Sequence, residues 1–247
     1  MTGHVLITGA TGGLGRAIAR EFTDFGAALI TLADRTGPDV LEADLEQPEE
    51  PGRMVREAWS RAPVDVLVNC AGTYPSVDML DVTAQQWDRI FALNVRAPVL
   101  ATQELARRAI AAGRPASVVN ISSGAALRAR PGGGPYASSK AALEMATRAA
   151  ALELGAHGIR VNAVSPGFIA VDSDCNPVAP EYAAAVSRNP LGRPGTPYDV
   201  ARAVRWIAGP EAAWVTGEVL RVDGGSNTGA AHLPRLWPPA EEKGSDE

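Results

Sequence analysis

Cysteine and histidine are scarce in this chain of 247 residues, which contains two cysteines and three histidines. Cys70 and Cys175 lie far apart, and neither belongs to a CxxC pair or to a Cys/His cluster. This spacing argues against a disulfide framework of the kind found in secreted domains. It also argues against a zinc site, so we expect no metal.

The sequence also lacks an excess of positive charge and any long apolar run. Its 23 Lys and Arg residues against 28 Asp and Glu residues give a net charge of −5, so no basic field would attract nucleic acid or an anionic membrane. No stretch reaches the roughly 18 apolar residues of a transmembrane helix, and the amino terminus has no basic segment followed by an apolar one. We therefore expect a soluble cytoplasmic protein that binds neither nucleic acid nor membrane.

Hydrophobic residues, in contrast, make up 46% of the chain, which is enough for a full core. Short β-branched apolar runs alternate with longer segments of helical spacing, and this alternation predicts βαβ units around a parallel sheet. The expected strands are 4–8, 28–34, 64–69, 116–122, 159–165 and 218–223, with a small third strand within 40–44. The expected helices are 14–25, 50–61, 84–112, 137–156 and 198–208. The predicted fold class is α/β: a doubly wound, mainly parallel sheet of about seven strands with helices on both faces.

No break in composition divides this pattern, so we expect residues 1–226 to form a single domain. Residues 227–247 are polar and rich in proline, and we expect this tail to be partly disordered or docked on a neighbouring subunit. Docking is suggested by the apolar residues Leu233, Leu236 and Trp237, because exposed apolar groups in a terminal arm often pack against another surface.

The first expected strand runs into the glycine-rich turn TGATGGLG, which precedes a helix. Gly9, Gly13 and Gly15 allow a tight turn and a close approach of the backbone to a pyrophosphate, to which the helix amino terminus supplies N–H groups. A P-loop is excluded because Arg16 is followed by Ala17, where that motif needs Lys followed by Ser or Thr. The spacing GxxxGxG differs from the more common GxGxxG, and a glycine-rich turn without a ligand is the alternative interpretation.

Further motifs follow this turn, and with them the sequence resembles the short-chain dehydrogenase/reductase family from residue 5 to about residue 226. The motifs are TGATGGLG (8–15), Asp44 with Leu45, NCAG (69–72), Asn94 in FALNV, NISS (120–123), YASSK (136–140), SPG (165–167) and VTGEVLRVDGG (215–225). The resemblance implies a Rossmann-type fold and an NAD(P)-dependent oxidoreductase that interconverts a secondary alcohol and a ketone of a small molecule by hydride transfer. It also implies a homodimer or homotetramer.

Tyr136 and Lys140 are four residues apart at the start of an expected helix, so their side chains project from one face. A neighbouring ammonium group favours the phenolate, and we expect it to lower the pKa of Tyr136 toward neutral pH. The resemblance implies that Tyr136 is the general acid/base and that Lys140 also binds the nicotinamide ribose. It implies that Ser123 binds the reacting oxygen, with Ser122 as the alternative. Asn94 would be the fourth catalytic residue, holding a water, or else a helix-kink residue bonded to backbone.

Asp34 ends the second expected strand about twenty residues after the glycine-rich turn, where a carboxylate can accept hydrogen bonds from the ribose of NAD and repels a 2′-phosphate. Gly12 supplies no basic side chain at a position where phosphate-preferring members of the family often have one. Arg35 is the opposing signal, since a guanidinium can pair with a phosphate. We expect NAD, with NADP less favoured. The resemblance implies a cofactor site formed by Gly9, Thr11, Gly12, Gly13, Leu14, Gly15, Asp34, Arg35, Asp44, Leu45, Asn69, Ala71, Gly72, Tyr136, Lys140, Pro166, Gly167 and Ile169.

Substrate recognition is expected in the segments beside the catalytic residues. Residues 168–190 are expected to form a lid, and residues 124–135 a second wall of the substrate pocket. Arg128 and Arg130 lie in that wall, where they would either bind a substrate carboxylate or remain on the surface. Val171 stands where the family often has a threonine, and we expect the missing hydroxyl to weaken cofactor binding by about 1 kcal/mol.

Two alternatives to net oxidation or reduction stay open. A lyase, isomerase or epimerase can use bound nicotinamide without net redox change, and a regulatory protein can bind a dinucleotide without turnover. The presence of Asn94, Ser123, Tyr136 and Lys140 together argues against the regulatory protein.

Overall fold

The computed structural model describes residues 3–169, 181, 183, 184 and 189–229 of the chain. In this part of the chain, seven parallel strands form one sheet in the order β3-β2-β1-β4-β5-β6-β7. The strands are β1 (His4–Thr8), β2 (Leu29–Asp34), β3 (Leu41–Glu42), β4 (Val64–Asn69), β5 (Ala116–Ile121), β6 (Ile159–Pro166) and β7 (Val219–Val222).

Helices connect these strands. Those with described bounds are α1 (Gly13–Asp24), α2 (Glu50–Arg61), α3 (Ala84–Phe91), α4 (Ala97–Ala111), α5 (Gly134–Leu154) and α6 (Pro197–Ala208). A π-helical turn (Ala92–Arg96) joins α3 to α4, and short 3-10 turns occupy Gly124–Ala126, Gly155–His157 and Pro210–Ala212. None of the helices in the described residues is long and apolar enough to cross a membrane.

Both faces of the sheet are covered, because alternate residues of the strands enter two separate hydrophobic clusters. On one face Leu6 of β1 is in a cluster with Met54 of α2 and Leu105 of α4. On the other face Ile7 is in a cluster with Phe22 of α1. Burial on two sides explains why the strands are nearly continuous apolar runs.

The predicted sheet, with seven strands and helices on both faces, is confirmed. The prediction of one helix over residues 84–112 is wrong, because the π-helical turn interrupts it. Helix α5 begins at Gly134 rather than at residue 137, with Pro135 in its first turn, where proline replaces an N–H that has no partner in the helix.

Several predictions concern residues outside the described part of the chain. They are most of the lid 168–190, Val171, and the tail from residue 230 onward with Leu233, Leu236 and Trp237. The domain boundary at residue 226 stays a prediction.

The order of the strands creates the crevice in which ligands bind in this class of sheet. From β1 the chain moves outward to β2 and β3, and then crosses to β4 on the other side of β1. The connections that follow β1 and β4 therefore continue on opposite faces of the sheet, to α1 on one face and α4 on the other, and the carboxyl ends of these two strands form the topological switch point. The glycine-rich turn after β1 lies at this edge, beside the ends of β4 and β5.

Candidate active site

The turns after β1 and β4 are joined by close backbone contacts. Thr8 Oγ1 accepts hydrogen bonds from the backbone N–H groups of Cys70 and Ala71, both at 3.0 Å. Gly9 has φ +64°, and a Cβ there would lie 2.7 Å from Ala71 Cα. A Cβ on Gly15 would lie 2.2 Å from the carbonyl oxygen of Gly9. Glycine is therefore required at both positions, and Thr8 is a structural member of the site that the sequence analysis missed.

The amino terminus of α1 is available to an anion. Gly12 is its N-cap, and no side chain caps the helix, so N–H groups of the first turn have no intrahelical partner. A Cβ on Gly12 would have only the carbonyl oxygen of Gly9 within 4 Å, at 3.4 Å. Leu14 packs against the hydrophobic cluster on this face and anchors the turn. These residues fit the pyrophosphate of a dinucleotide, which binds to backbone N–H groups at helix amino termini.

Asp34 lies at the end of β2, directly beside the glycine-rich turn. Its Oδ2 accepts hydrogen bonds from the backbone N–H of Thr11 at 3.0 Å and from Thr11 Oγ1 at 2.6 Å. Its Oδ1 accepts one from the backbone N–H of Arg35 at 2.8 Å. The guanidinium of Arg35 is bonded to Asp44 Oδ1 through Nε and Nη2, each at 3.1 Å, and also to Glu46. Asp34, which favours NAD, and Arg35, which favours NADP, are thus adjacent, and the guanidinium of Arg35 already forms ion pairs within the protein.

Two predicted cofactor residues turn their side chains into the fold. Leu45 is buried in the hydrophobic cluster that covers α2 and α4. Asn69 Nδ2 donates to Asn120 Oδ1 at 2.8 Å, and Asn120 Nδ2 donates to Thr147 Oγ1 of α5 at 2.9 Å. These side chains hold β4, β5 and α5 together, which leaves only the backbone groups of Leu45 and Asn69 for a cofactor.

The segment after β6 is fixed near the same edge. β6 ends at Pro166, and a Cβ on Gly167 would lie 2.8 Å from Asp223 Cα, so the chain passes very close to the end of β7. Ile169 forms an isolated parallel bridge with Gly195. This contact ties the predicted cofactor segment to the turn that precedes α6.

Ser123, Tyr136 and Lys140 come together at the end of β5. Ser123 follows the strand, and its Oγ accepts a hydrogen bond from the backbone N–H of Ala125 at 3.2 Å. Its hydroxyl lies near enough to Tyr136 to affect the pKa of the phenol. Lys140 Nζ donates to the carbonyl oxygen of Ile121 at 2.8 Å and lies 5.8 Å from the centroid of the Tyr136 ring. The structure thus brings three of the four predicted catalytic residues into one group.

The pKa values of this group are governed by burial. Burial raises the pKa of Tyr136 above its usual value of 10, although the nearby hydroxyl of Ser123 and the charge of Arg130 act in the opposite direction. Burial lowers the pKa of Lys140 to about 8. The prediction that Lys140 lowers the pKa of Tyr136 toward neutral pH is therefore wrong for this structure, because burial penalises the phenolate more than its neighbours favour it.

The two adjacent serines have different partners. Ser122 Oγ donates to Glu144 Oε1 of α5 at 2.7 Å, and both side chains are buried. Glu144 Oε2 also lies 3.9 Å from Arg148 Nη2. Ser122 therefore faces α5, whereas Ser123 faces Tyr136. Glu144 was missed by the sequence analysis, although its position four residues after Lys140 places it on the same helix face.

Asn94 lies in the π-helical turn, where the helical hydrogen bonding is distorted. Its Oδ1 accepts from the backbone N–H of Thr73 at 2.8 Å, and its Nδ2 donates to the carbonyl oxygen of Thr73 at 2.8 Å and to Ser139 Oγ at 3.0 Å. A Cβ on Gly72 would lie 3.2 Å from Asn94 Oδ1 and 3.5 Å from Lys140 Nζ. Asn94 thus bonds to backbone, as its alternative interpretation predicts, and its side chain lies beside Gly72, as does that of Lys140.

Aromatic and basic residues border the catalytic group. The ring of Tyr74 is tilted against that of Tyr136, with centroids 6.1 Å apart. Arg128 and Arg130 are exposed in the predicted second wall, and of the two only Arg130 affects the pKa of Tyr136 through its charge. Within the described residues, no group of three or more His, Cys, Asp or Glu side chains is arranged to hold a metal ion.

Comparisons with known proteins place this geometry in a family. Residues 9–227 match the family model described as enoyl-(acyl carrier protein) reductase. The chain is 34% identical over 245 residues to the (3R)-3-hydroxyacyl-CoA dehydrogenase of Mus musculus, covering 89% of this chain and 94% of that relative.

Two solved structures share the fold over their whole length. One is a blue fluorescent protein from a metagenomic library in complex with NADPH, with a TM-score of 0.81 and 33% identity, covering 91% of this chain and 97% of that one. The other is 4-hydroxyisoleucine dehydrogenase complexed with NADH, with a TM-score of 0.83 and 25% identity, covering 93% of this chain and 100% of that one.

The family model spans most of the chain, and it includes every residue of the catalytic group and of the glycine-rich turn from Gly9 onward. Similar proteins are oxidoreductases of alcohol or ketone groups, and similar structures contain NADH or NADPH. The chain therefore belongs to the short-chain dehydrogenase/reductase family and is an NAD(P)-dependent oxidoreductase that acts on CH–OH or C=O groups of small molecules.

Proposed function

We propose that this enzyme uses NAD to interconvert a secondary alcohol and a ketone, with Tyr136 as the general acid/base. The observation that carries the proposal is the convergence of Ser123, Tyr136 and Lys140 at the end of β5, with Lys140 Nζ 5.8 Å from the centroid of the Tyr136 ring. The group lies at the same sheet edge as the uncapped amino terminus of α1. When bound there, the nicotinamide supplies or accepts the hydride.

Proton transfer is assigned to the phenol of Tyr136. Its raised pKa keeps the phenol protonated at neutral pH, so it can donate a proton to the substrate oxygen during ketone reduction. The hydroxyl of Ser123 donates a hydrogen bond to the same oxygen as negative charge develops. Lys140, 5.8 Å from the ring centroid, stabilises the phenolate that remains.

Asn94 is assigned to holding a water between Lys140 and solvent. Support comes from Gly72, where a Cβ would lie 3.2 Å from Asn94 Oδ1 and 3.5 Å from Lys140 Nζ, so that both polar groups lie beside the same backbone position. The hydrogen bonds of Asn94 to Thr73 and Ser139 fix the amide in this position.

The preference for NAD rests on charges of this chain, because similar structures contain NADH in one case and NADPH in another. Asp34 is held in place by three hydrogen bonds from Thr11 and Arg35, and a carboxylate retains acceptor capacity for ribose hydroxyls. The same negative charge repels a 2′-phosphate. The backbone of residues 9–15 and the groups at residues 44–45, 69–72 and 166–169 would bind the remainder of the cofactor.

We also assign a homo-oligomer, built on the outer faces of α4 and α5. A groove of about 370 Å³ runs between these helices and is lined by Val99, Ile110 and Leu154, among others. Met145 and Leu152 on α5 are exposed by 61% and 86%. Sedimentation velocity on wild type and on Leu152→Glu tests this assignment, since a charge in such an interface should shift the protein to monomer.

The single domain 1–226, the docked or disordered tail and the cytoplasmic location rest on the sequence alone. Truncation after Ser226 should leave a folded, cofactor-binding protein. If sedimentation and steady-state constants are also unchanged by the truncation, the tail docks on nothing that matters to assembly or catalysis.

The reaction itself is tested by absorbance at the reduced-nicotinamide band, with NAD and NADP offered with secondary alcohols and NADH and NADPH with ketones. A net change that is faster with NAD supports the proposal. Product formation without net change would favour a lyase, isomerase or epimerase. Cofactor binding without any product would favour a regulatory protein.

A further inference from the structure

A cluster of charged residues lies beside the proposed adenosine site, and Glu46 is at its centre. Glu46 Oε1 contacts Arg35 Nη2, and both carboxylate oxygens of Glu46 accept from Arg89 Nε at 3.0 Å. Arg96 Nη2 donates to the backbone oxygen of Glu46. The side chain of Glu46 is only 17% exposed, against 49% for Arg35 and 61% for Arg89.

Arg35 is the residue whose orientation matters for the cofactor. It follows Asp34 directly, so a swing of its guanidinium toward the ribose would place a cation where a 2′-phosphate binds. In the structure that guanidinium instead points to Asp44 and Glu46, with two hydrogen bonds of 3.1 Å to the former. A phosphate would have to break these bonds to recruit it.

We infer that Glu46 is a specificity-determining residue for the cofactor, because it holds Arg35 in an ion pair and prevents the Arg35 guanidinium from binding a 2′-phosphate. The inference rests on the proposed use of NAD. The three carboxylates of Asp34, Asp44 and Glu46 are balanced by the three guanidiniums of Arg35, Arg89 and Arg96. Loss of the Glu46 charge gives the cluster a net charge of +1, removes the carboxylate that Arg35 and Arg89 share, and leaves Arg35 with Asp44.

Glu46 is a stronger restraint than Asp44. The pair between Arg35 and Asp44 is about half exposed on both sides, and exposed pairs of this kind restrain little. Glu46 is more buried, and its carboxylate accepts hydrogen bonds from Arg89 while its backbone oxygen accepts one from Arg96, so these contacts hold it in position independently of Arg35. Asp44 is also a member of the proposed cofactor site, so its substitution would affect both cofactors.

The test is a set of dissociation constants for NADH and NADPH, measured by fluorescence titration. Glu46→Gln should tighten NADPH by about tenfold, the effect of removing one charge near a phosphate dianion, and should change NADH by less than about twofold. Unchanged NADH affinity also shows that the variant folds. In the double variant Glu46→Gln/Arg35→Gln the gain for NADPH should disappear.

Glu104→Gln is the matched control. Glu104 is 14% exposed and contacts two arginines, Arg108 at 2.8 Å and Arg56 at 3.6 Å, and neither is part of the cluster around Arg35. This variant should leave both dissociation constants unchanged. A similar gain for NADPH in Glu104→Gln would show a general effect of net charge and would overturn the inference.

Arg35→Gln alone gives a second, independent test. Because Glu46 already neutralises Arg35, this variant should change NADPH affinity by less than about twofold. A large loss of NADPH affinity in Arg35→Gln would show that Arg35 binds the 2′-phosphate despite Glu46, and would overturn the inference. An unaltered ratio of the NADH and NADPH dissociation constants in Glu46→Gln would overturn it as well. If the wild-type protein prefers NADPH, the proposed use of NAD is contradicted. The change in the ratio of the NADH and NADPH dissociation constants in Glu46→Gln still tests the role of Glu46 in that case.

Discussion

Tyr136→Phe separates the chemical role of the tyrosine from its structural role. The substitution keeps the ring that packs against Tyr74 and removes only the hydroxyl, which lies near Ser123. Ser123 retains the N–H of Ala125 as a partner, so the structural loss is at most one hydrogen bond, or ~1 kcal/mol of stability. Loss of a general acid costs ~10²- to 10⁴-fold in rate.

The expected result is therefore a fall in kcat of at least about 10²-fold, with NADH affinity and melting temperature nearly unchanged. Turnover is followed by absorbance of the reduced cofactor, and affinity by fluorescence titration. Tyr198→Phe is the control, because Tyr198 is an exposed tyrosine on α6, and its loss of a hydroxyl should leave kcat unaltered. If Tyr136→Phe kept most of the wild-type kcat, Tyr136 would not be the proton donor.

Three further predictions follow from charges and burial. Asp34→Ala should reduce the ratio of the NADP dissociation constant to the NAD dissociation constant by about tenfold. An unchanged ratio would show that Asp34 does not select the cofactor. Lys140→Met should abolish turnover yet gain stability relative to wild type at neutral pH by up to about 3 kcal/mol, because the buried ammonium has its pKa lowered to about 8. That gain should shrink as pH rises from 8 to 10.5, where the wild-type lysine loses its charge in the folded state, and a gain independent of pH would contradict it. For His4, burial lowers the pKa below its ordinary 6.5, so stability in urea should be full above pH 6.5 and fall below it, and His4→Gln should flatten this dependence.

The overall architecture follows closely from the sequence because it depends on patterns that are local. Apolar runs such as residues 64–69 are long enough for one strand, and both sheet faces must be covered. The interruption of the helix over 84–112 was indicated only by the alternative interpretation of Asn94 as a helix-kink residue, because the helical spacing of the whole segment predicts no break. The distortion there coincides with tertiary contacts, namely the bonds of Asn94 to Thr73 and Ser139.

The candidate site was predictable where neighbours in space are neighbours along a helix or follow a motif. Tyr136 and Lys140 are of this kind. The partner of Ser122 was not predictable, because Glu144 meets it across the packing of β5 against α5. The contacts of Glu46 were not predictable for the same reason, since its hydrogen bonds with Arg89 join residues that are 43 positions apart.

Two cations of the crevice, Arg35 and Lys140, differ in how far neighbouring carboxylates compensate their charge. Arg35 is bonded to the carboxylates of Asp44 and Glu46, so little of its charge remains for a ligand. Lys140 has the carbonyl of Ile121 as its partner, and no carboxylate lies within ion-pair distance of it in the described ranges. Cys70 beside it stays neutral, because burial raises the pKa of its thiol to about 12. In the proposed mechanism, the uncompensated charge of Lys140 therefore remains to offset part of the burial that raises the pKa of Tyr136, whereas the charge of Arg35 is already paired at the ribose end.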